Sequence, residues 1–69
     1  MKAQFQDNTT YYSDRDTDIT CRVNYRTARF VVTVPKNRFR IQLDSNGNEY
    51  FESTDPYHGT FRYSACNRC

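Results

Sequence analysis

Apolar and polar residues alternate through four stretches of the chain. Ile19, Cys21, Val23 and Tyr25 share one parity, with Thr20, Arg22, Asn24 and Arg26 on the other. Ala28, Phe30, Val32 and Val34 alternate with Arg29, Val31 and Thr33 until Pro35, which lacks the N–H that a ladder needs. Phe39, Ile41 and Leu43 alternate with Arg38, Arg40 and Gln42, and Phe61, Tyr63 and Ala65 with Thr60, Arg62 and Ser64. A period of two puts one set on a buried face and the other in water, as in an antiparallel sheet. No stretch sustains a helical period, and β-branched and aromatic residues hold the apolar positions. The pattern predicts an all-β fold: one small domain over residues 1–69, an antiparallel sheet of four to six strands, barrel-like or a meander.

Turn chemistry places the connections. Asp44-Ser45-Asn46-Gly47 lies between two strand-like runs, with Asp suited to the first position of a type I turn and Gly to the positive φ that follows. That hairpin sets Asp44 against Asn48, Ile41 opposite Phe51 and Arg40 opposite Glu52, apolar with apolar and charge with countercharge. Asp55-Pro56-Tyr57-His58-Gly59 reads as a second turn. The connection near Arg26-Thr27 has neither Gly nor Pro. Residues 6–16 are polar and are expected to form a loop after a short first strand.

Composition narrows what the core is made of. Four Val, two Ile, one Leu and five Phe are few for 69 residues, and six Tyr add rings that bury apolar area while keeping a wet hydroxyl. A chain this short buries only ~60% of the surface its unfolded form exposes, so a partner or a cross-link would add to its stability. The first residues lack the apolar stretch of a signal peptide. The longest apolar run, Phe30-Val31-Val32, is far below the ~18 residues of a membrane span. The expectation is a soluble intracellular protein with no membrane partner, in a compartment where thiols stay reduced.

Charge is distributed in blocks. From Cys21 to Leu43 the chain carries Arg22, Arg26, Arg29, Lys36, Arg38 and Arg40 and no acid, while acids dominate residues 1–20 and stand alone in residues 44–57. Arg22, Arg26, Arg29, Arg38, Arg40 and Arg62 all fall on the polar parity of their strands, and Tyr50 joins them. Arginine's planar fork matches carboxylate and phosphate and stacks on rings, and Arg and Tyr are enriched at interface hot spots. The expected function is a non-catalytic module that docks an acidic protein surface through Arg22, Arg26, Arg29, Arg38, Arg40, Tyr50 and Arg62. A concrete form, drawn from size and charge layout alone, is an inhibitor encoded by a mobile element that blocks a nucleic-acid-processing enzyme. The alternative is single-stranded nucleic-acid binding by the same face, against which stands a net charge of only +2. The competing account is neutralisation within the chain, Arg40 by Glu52 and Arg22 or Arg26 by Asp16 or Asp18, in exposed pairs worth ~0–1 kcal/mol each.

The remaining chemistry is sparse. Cys66-Asn67-Arg68-Cys69 has the spacing of half a zinc site, which Cys21 and His58 could complete as a zinc-stapled structural domain. The second regular knuckle of a zinc ribbon is missing, and a disulfide from Cys21 to Cys66 or Cys69 or plain free thiols compete. Asp14, Asp16 and Asp18 open like a calcium loop, but Ile19 and Tyr25 stand where Gly and Glu are required. With one His and no nucleophile–base pair, the chain is expected not to be an enzyme and to need no cofactor; a small ribonuclease built on His58 and Arg62 is the nearest catalytic reading.

Overall fold

The computed structural model describes residues 2–69. Seven strands form one antiparallel sheet: β1 (Thr9–Ser13), β2 (Thr20–Arg26), β3 (Phe30–Val34), β4 (Arg38–Arg40), β5 (Gln42–Leu43), β6 (Glu49–Asp55) and β7 (Gly59–Arg68). The order across the sheet is β4-β3-β2-β1-β7-β6-β5. β4 and β5 lie at opposite edges, yet only Ile41 separates them in the chain. Two edges tied by one residue bring the sheet round on itself, so it curls into a nearly closed barrel. The fold is all-β, as the alternation predicted, with one strand more than the upper bound. No helix long and apolar enough to cross a membrane occurs among the described residues.

Aromatic rings fill the barrel. Phe51, fully buried, stacks on Phe39 at 5.0 Å and Tyr63 at 5.1 Å between ring centres and meets Phe5 at 5.3 Å. Phe5 in turn meets Tyr11 edge-on at 4.8 Å. Each such pair is worth ~0.5–1.5 kcal/mol beyond area burial, which compensates for the shortage of aliphatic side chains. Val23, Val31, Phe61 and Ala65 complete the cluster.

Three expectations are corrected. Residues 6–16 are not all loop: Thr9–Ser13 is β1, paired with β2 on one side and β7 on the other. In β3 the inward parity is Val31 and Thr33, not Phe30, Val32 and Val34, because Val31 and Thr33 share cross-strand rows with Phe39 and Val23. Both parities of Phe30-Val31-Val32 are apolar, so its pattern leaves the register undecided. In β2 a bulge between Val23 and Tyr25 inserts one extra residue, which reverses the parity beyond it. Tyr25 turns outward, 44% exposed, and Arg26 turns in.

The 44–48 hairpin forms in its expected register. Gln42 pairs with Tyr50 and Leu43 with Glu49, Asp44 N–H donates to Asn48 O at 3.0 Å, and Gly47 has φ +81°. The ladder stops at Gln42, however, since Arg40 pairs with Phe30 on β3. The expected Arg40–Glu52 ion pair is therefore not made, and Glu52 lies opposite Arg62. Leu43, expected inside, is 65% exposed.

Candidate binding face

The outer surface of β2, β3 and β4 carries no Asp or Glu, since residues 20–43 contain none. Cross-strand rows set its pattern. Arg22 stands opposite Val34, Tyr25 opposite Val32, Val32 opposite Arg38, and Phe30 opposite Arg40. The outcome is a patch of apolar and aromatic side chains flanked by three exposed arginines. Val34 is 52% exposed, Phe30 is half-buried, and Val32 is buried although it points away from the core, beneath its row neighbours. The Arg38 guanidinium lies over the Phe30 ring at 4.8 Å, a cation–π contact. None of Arg22, Arg29, Arg38 and Arg40 forms an ion pair among the described residues.

The seven residues singled out from the sequence do not form one face. Arg22, Arg38 and Arg40 come together on β2–β4, with Arg29 exposed in the β2–β3 connection, where its carbonyl accepts from Ile41 N–H at 2.8 Å. Arg62 and Tyr50 are a separate pair on β7 and β6, with the guanidinium 4.2 Å from the ring centre and the Tyr50 hydroxyl 3.3 Å from Gln42 Oε1. β1 separates β7 from β2 in the sheet.

Arg26 is committed to the fold. Both of its terminal nitrogens bond the Glu49 carboxylate, Nη1 to Oε1 and Nη2 to Oε2 at 3.0 Å. Glu49 is buried, and its Oε1 also accepts the Phe5 N–H at 2.9 Å, while Arg26 Nη1 reaches Phe5 O at 3.3 Å. The pair ties the N-terminal segment to β2 and β6. It also explains why an acid can sit at a core position: both of its oxygens accept from donors, three bonds in all. Sequence alone showed Arg26 on the polar parity, and only the bulge turns it inward.

Tyr25, Phe30, Val32 and Val34 belong to the face and were not anticipated. The signal for Phe30, Val32 and Val34 was present, since a strand apolar on both parities leaves an apolar set outside whichever way it faces; Tyr25 is turned out by the β2 bulge.

The thiols and His58 lie apart. Cys21 is half-buried beside Thr33, and burial pushes its thiol up while the Thr33 hydroxyl pulls the other way. Cys66 and Cys69 are exposed on an extended segment, held to the end by a Cys69 N–H to Thr10 O bond of 2.9 Å. All three thiols are free, so no disulfide joins Cys21 to Cys66 or Cys69. His58 sits in the β6–β7 turn against Asp55 at 3.5 Å. No three His, Cys, Asp or Glu side chains gather as a metal site among the described residues. Comparison of the chain with protein families, with curated proteins and with solved structures found no match to any of them.

Proposed function

We propose that this chain is a non-catalytic binding module that docks an acidic protein surface through the outer face of β2–β4. The observation that supports it is the row pattern: Arg22, Arg38 and Arg40, without carboxylate partners among the described residues, flank Tyr25, Phe30, Val32 and Val34. Apolar and aromatic side chains at the centre with arginines around them match the anatomy of a protein interface. Arg38, already placed over the Phe30 ring, offers its two-donor fork to a carboxylate with less ordering left to do. An acidic partner gains on-rate from the unneutralised charge and residence time from the buried centre.

The experiment compares the wild type with the Arg38→Glu/Arg40→Glu double variant. Nuclease-treated lysate is passed over each, proteins held only by the wild type are purified, and their binding is measured directly at rising salt. The expected result is a purified acidic partner that binds the wild type, weakens with salt and loses binding to the double variant by at least a hundredfold, with the far-UV spectrum unchanged. Equal binding to both proteins refutes this reading. The exposed Tyr25 ring and the Arg38–Phe30 stack also favour a second reading, single-stranded nucleic acid stacked on the same face. Tight binding of a fluorescent oligouridylate, lost in the double variant and falling steeply with salt, would establish that alternative.

A further inference from the structure

One end of the barrel is not filled by side chains. β2 and β3 part beyond the Arg22–Val34 row, where Pro35 has no N–H to continue the ladder. The inward positions there are Cys21, Thr33 and Ser53, all small, whereas Phe5, Tyr11 and Phe51 are among the fully buried side chains of the core. The result is an open cleft of about 350 Å³, within the size range of small-molecule sites.

The lining of this cleft is chemically specific. Phe39 and Tyr63 supply ring surfaces, Thr33 and Ser53 hydroxyls, and Arg22 the only charge, with no Asp or Glu among the lining residues. Tyr63 is 6% exposed, yet among the described residues its hydroxyl has no hydrogen-bond partner. No side-chain polar atom sealed from solvent is left unpaired, so that hydroxyl opens onto the cleft. A nearly buried phenol that finds no acceptor or donor in its own chain is poised for one from a ligand.

We propose that this cleft binds a small planar ligand bearing one anionic group, an aryl carboxylate or an aryl phosphate. The ring lies in the cleft against the lining side chains of Phe39 and Tyr63, the Tyr63 hydroxyl bonds a polar substituent, and Arg22 at the rim pairs with the anion. Burial raises both the Cys21 thiol and the Tyr63 phenol, so neither adds a negative charge against the ligand at neutral pH. The cleft shares Arg22 and Val34 with the docking face, and for that reason the decisive variants lie inside the barrel.

The test is a two-dimensional amide NMR titration of the full chain with benzoate and with phenyl phosphate, and with inorganic phosphate and benzyl alcohol as controls. The expected result is saturable shifts at Cys21, Thr33, Phe39, Ser53 and Tyr63 with at least one aryl anion, and weaker binding of both controls. Response to benzoate alone or to phenyl phosphate alone assigns the anion. Tyr63→Phe, which removes one hydroxyl, should weaken binding about fivefold, the worth of one hydrogen bond. Ser53→Leu should abolish it by filling the cleft while leaving Tyr63 and Arg22 in place. Shifts that do not saturate, that are confined to Arg38 and Arg40, that are matched by either control, or that survive Ser53→Leu overturn the proposal.

Discussion

Removing the Glu49 carboxylate should cost this domain most of its stability. Glu49 is buried and accepts three bonds, two from Arg26 and one from Phe5 N–H. Glu49→Ala leaves the Phe5 amide, on a buried residue, without a partner, at ~1–3 kcal/mol. It also leaves the Arg26 guanidinium unpaired. Breaking one side of a buried pair costs ~3–5 kcal/mol, and the 21% exposure of the Arg26 side chain puts this case at the lower end. A loss of about 3–4 kcal/mol against the ~3–5 kcal/mol that a core of this size supplies leaves the variant barely folded. Glu49→Gln keeps an acceptor for Phe5 N–H but loses the charge and the acceptor that Arg26 Nη2 uses, so about 1–2 kcal/mol is expected. Urea unfolding followed by far-UV circular dichroism measures both, and a slope of ~1 kcal/mol/M converts these costs to midpoint falls of ~3–4 M and ~1–2 M. Arg38→Gln is the control, a surface arginine expected to change stability by less than about 0.5 kcal/mol. If Glu49→Gln unfolds with the wild type, or if Arg38→Gln costs as much as Glu49→Gln, then Arg26 is not a structural residue and belongs with the docking face.

Gly47→Ala should destabilise the 44–48 hairpin by about 1 kcal/mol, read by the same unfolding curves, because φ +81° is strained for any side chain. The neighbouring Lys2 Cε, 2.9 Å from where the new Cβ would stand, is flexible and gives way. Mass spectrometry of iodoacetamide alkylation should show Cys66 and Cys69 modified first and Cys21 last, since burial keeps its thiol protonated. With the folded values of Cys21 and Tyr63 raised, their contribution to stability is present below the ordinary thiol range and is lost as pH rises through the folded values. Unfolding curves taken at increasingly alkaline pH should show that loss, and Cys21→Val should reduce it. Asp55 bonds the Tyr57 N–H at 2.7 Å, which holds its carboxyl below the usual aspartate range, with His58 assisting. Carbon NMR should find it titrating late as pH falls, and the 55–59 turn should keep its shifts until the pH drops through that lowered value.

The local elements were legible in the chain because their determinants are local. Asp44 accepts from Asn46 and Asn48 through one side-chain oxygen, and Gly47 supplies the φ, so four consecutive residues specify that turn. Phe39, Phe61, Tyr63 and Ala65 went inward and Arg38, Arg40 and Arg62 outward as their alternation requires. Part of the candidate face was equally legible, since an acid-free stretch stays acid-free however it folds. Arg26 and Arg62 were misassigned to that one face for different reasons: a single extra residue in β2 turned the first inward, and barrel curvature carried the second two strands away.

Sequence by itself determined that the chain is all-β, where the 44–48 and 55–59 turns fall, and that its middle third carries arginines and no acid. Tertiary structure alone decided which parity of β3 faces the core, because both parities are apolar and only packing against Val23 and Phe39 separates them. It also decided that residues 38–43 divide at Ile41 between the two edges of the sheet, and that Glu49, 23 positions away, is the partner of Arg26. These are non-local choices. Their energies come from side chains distant in sequence that meet only when the sheet closes, and a periodic pattern carries no record of which strand will lie beside it.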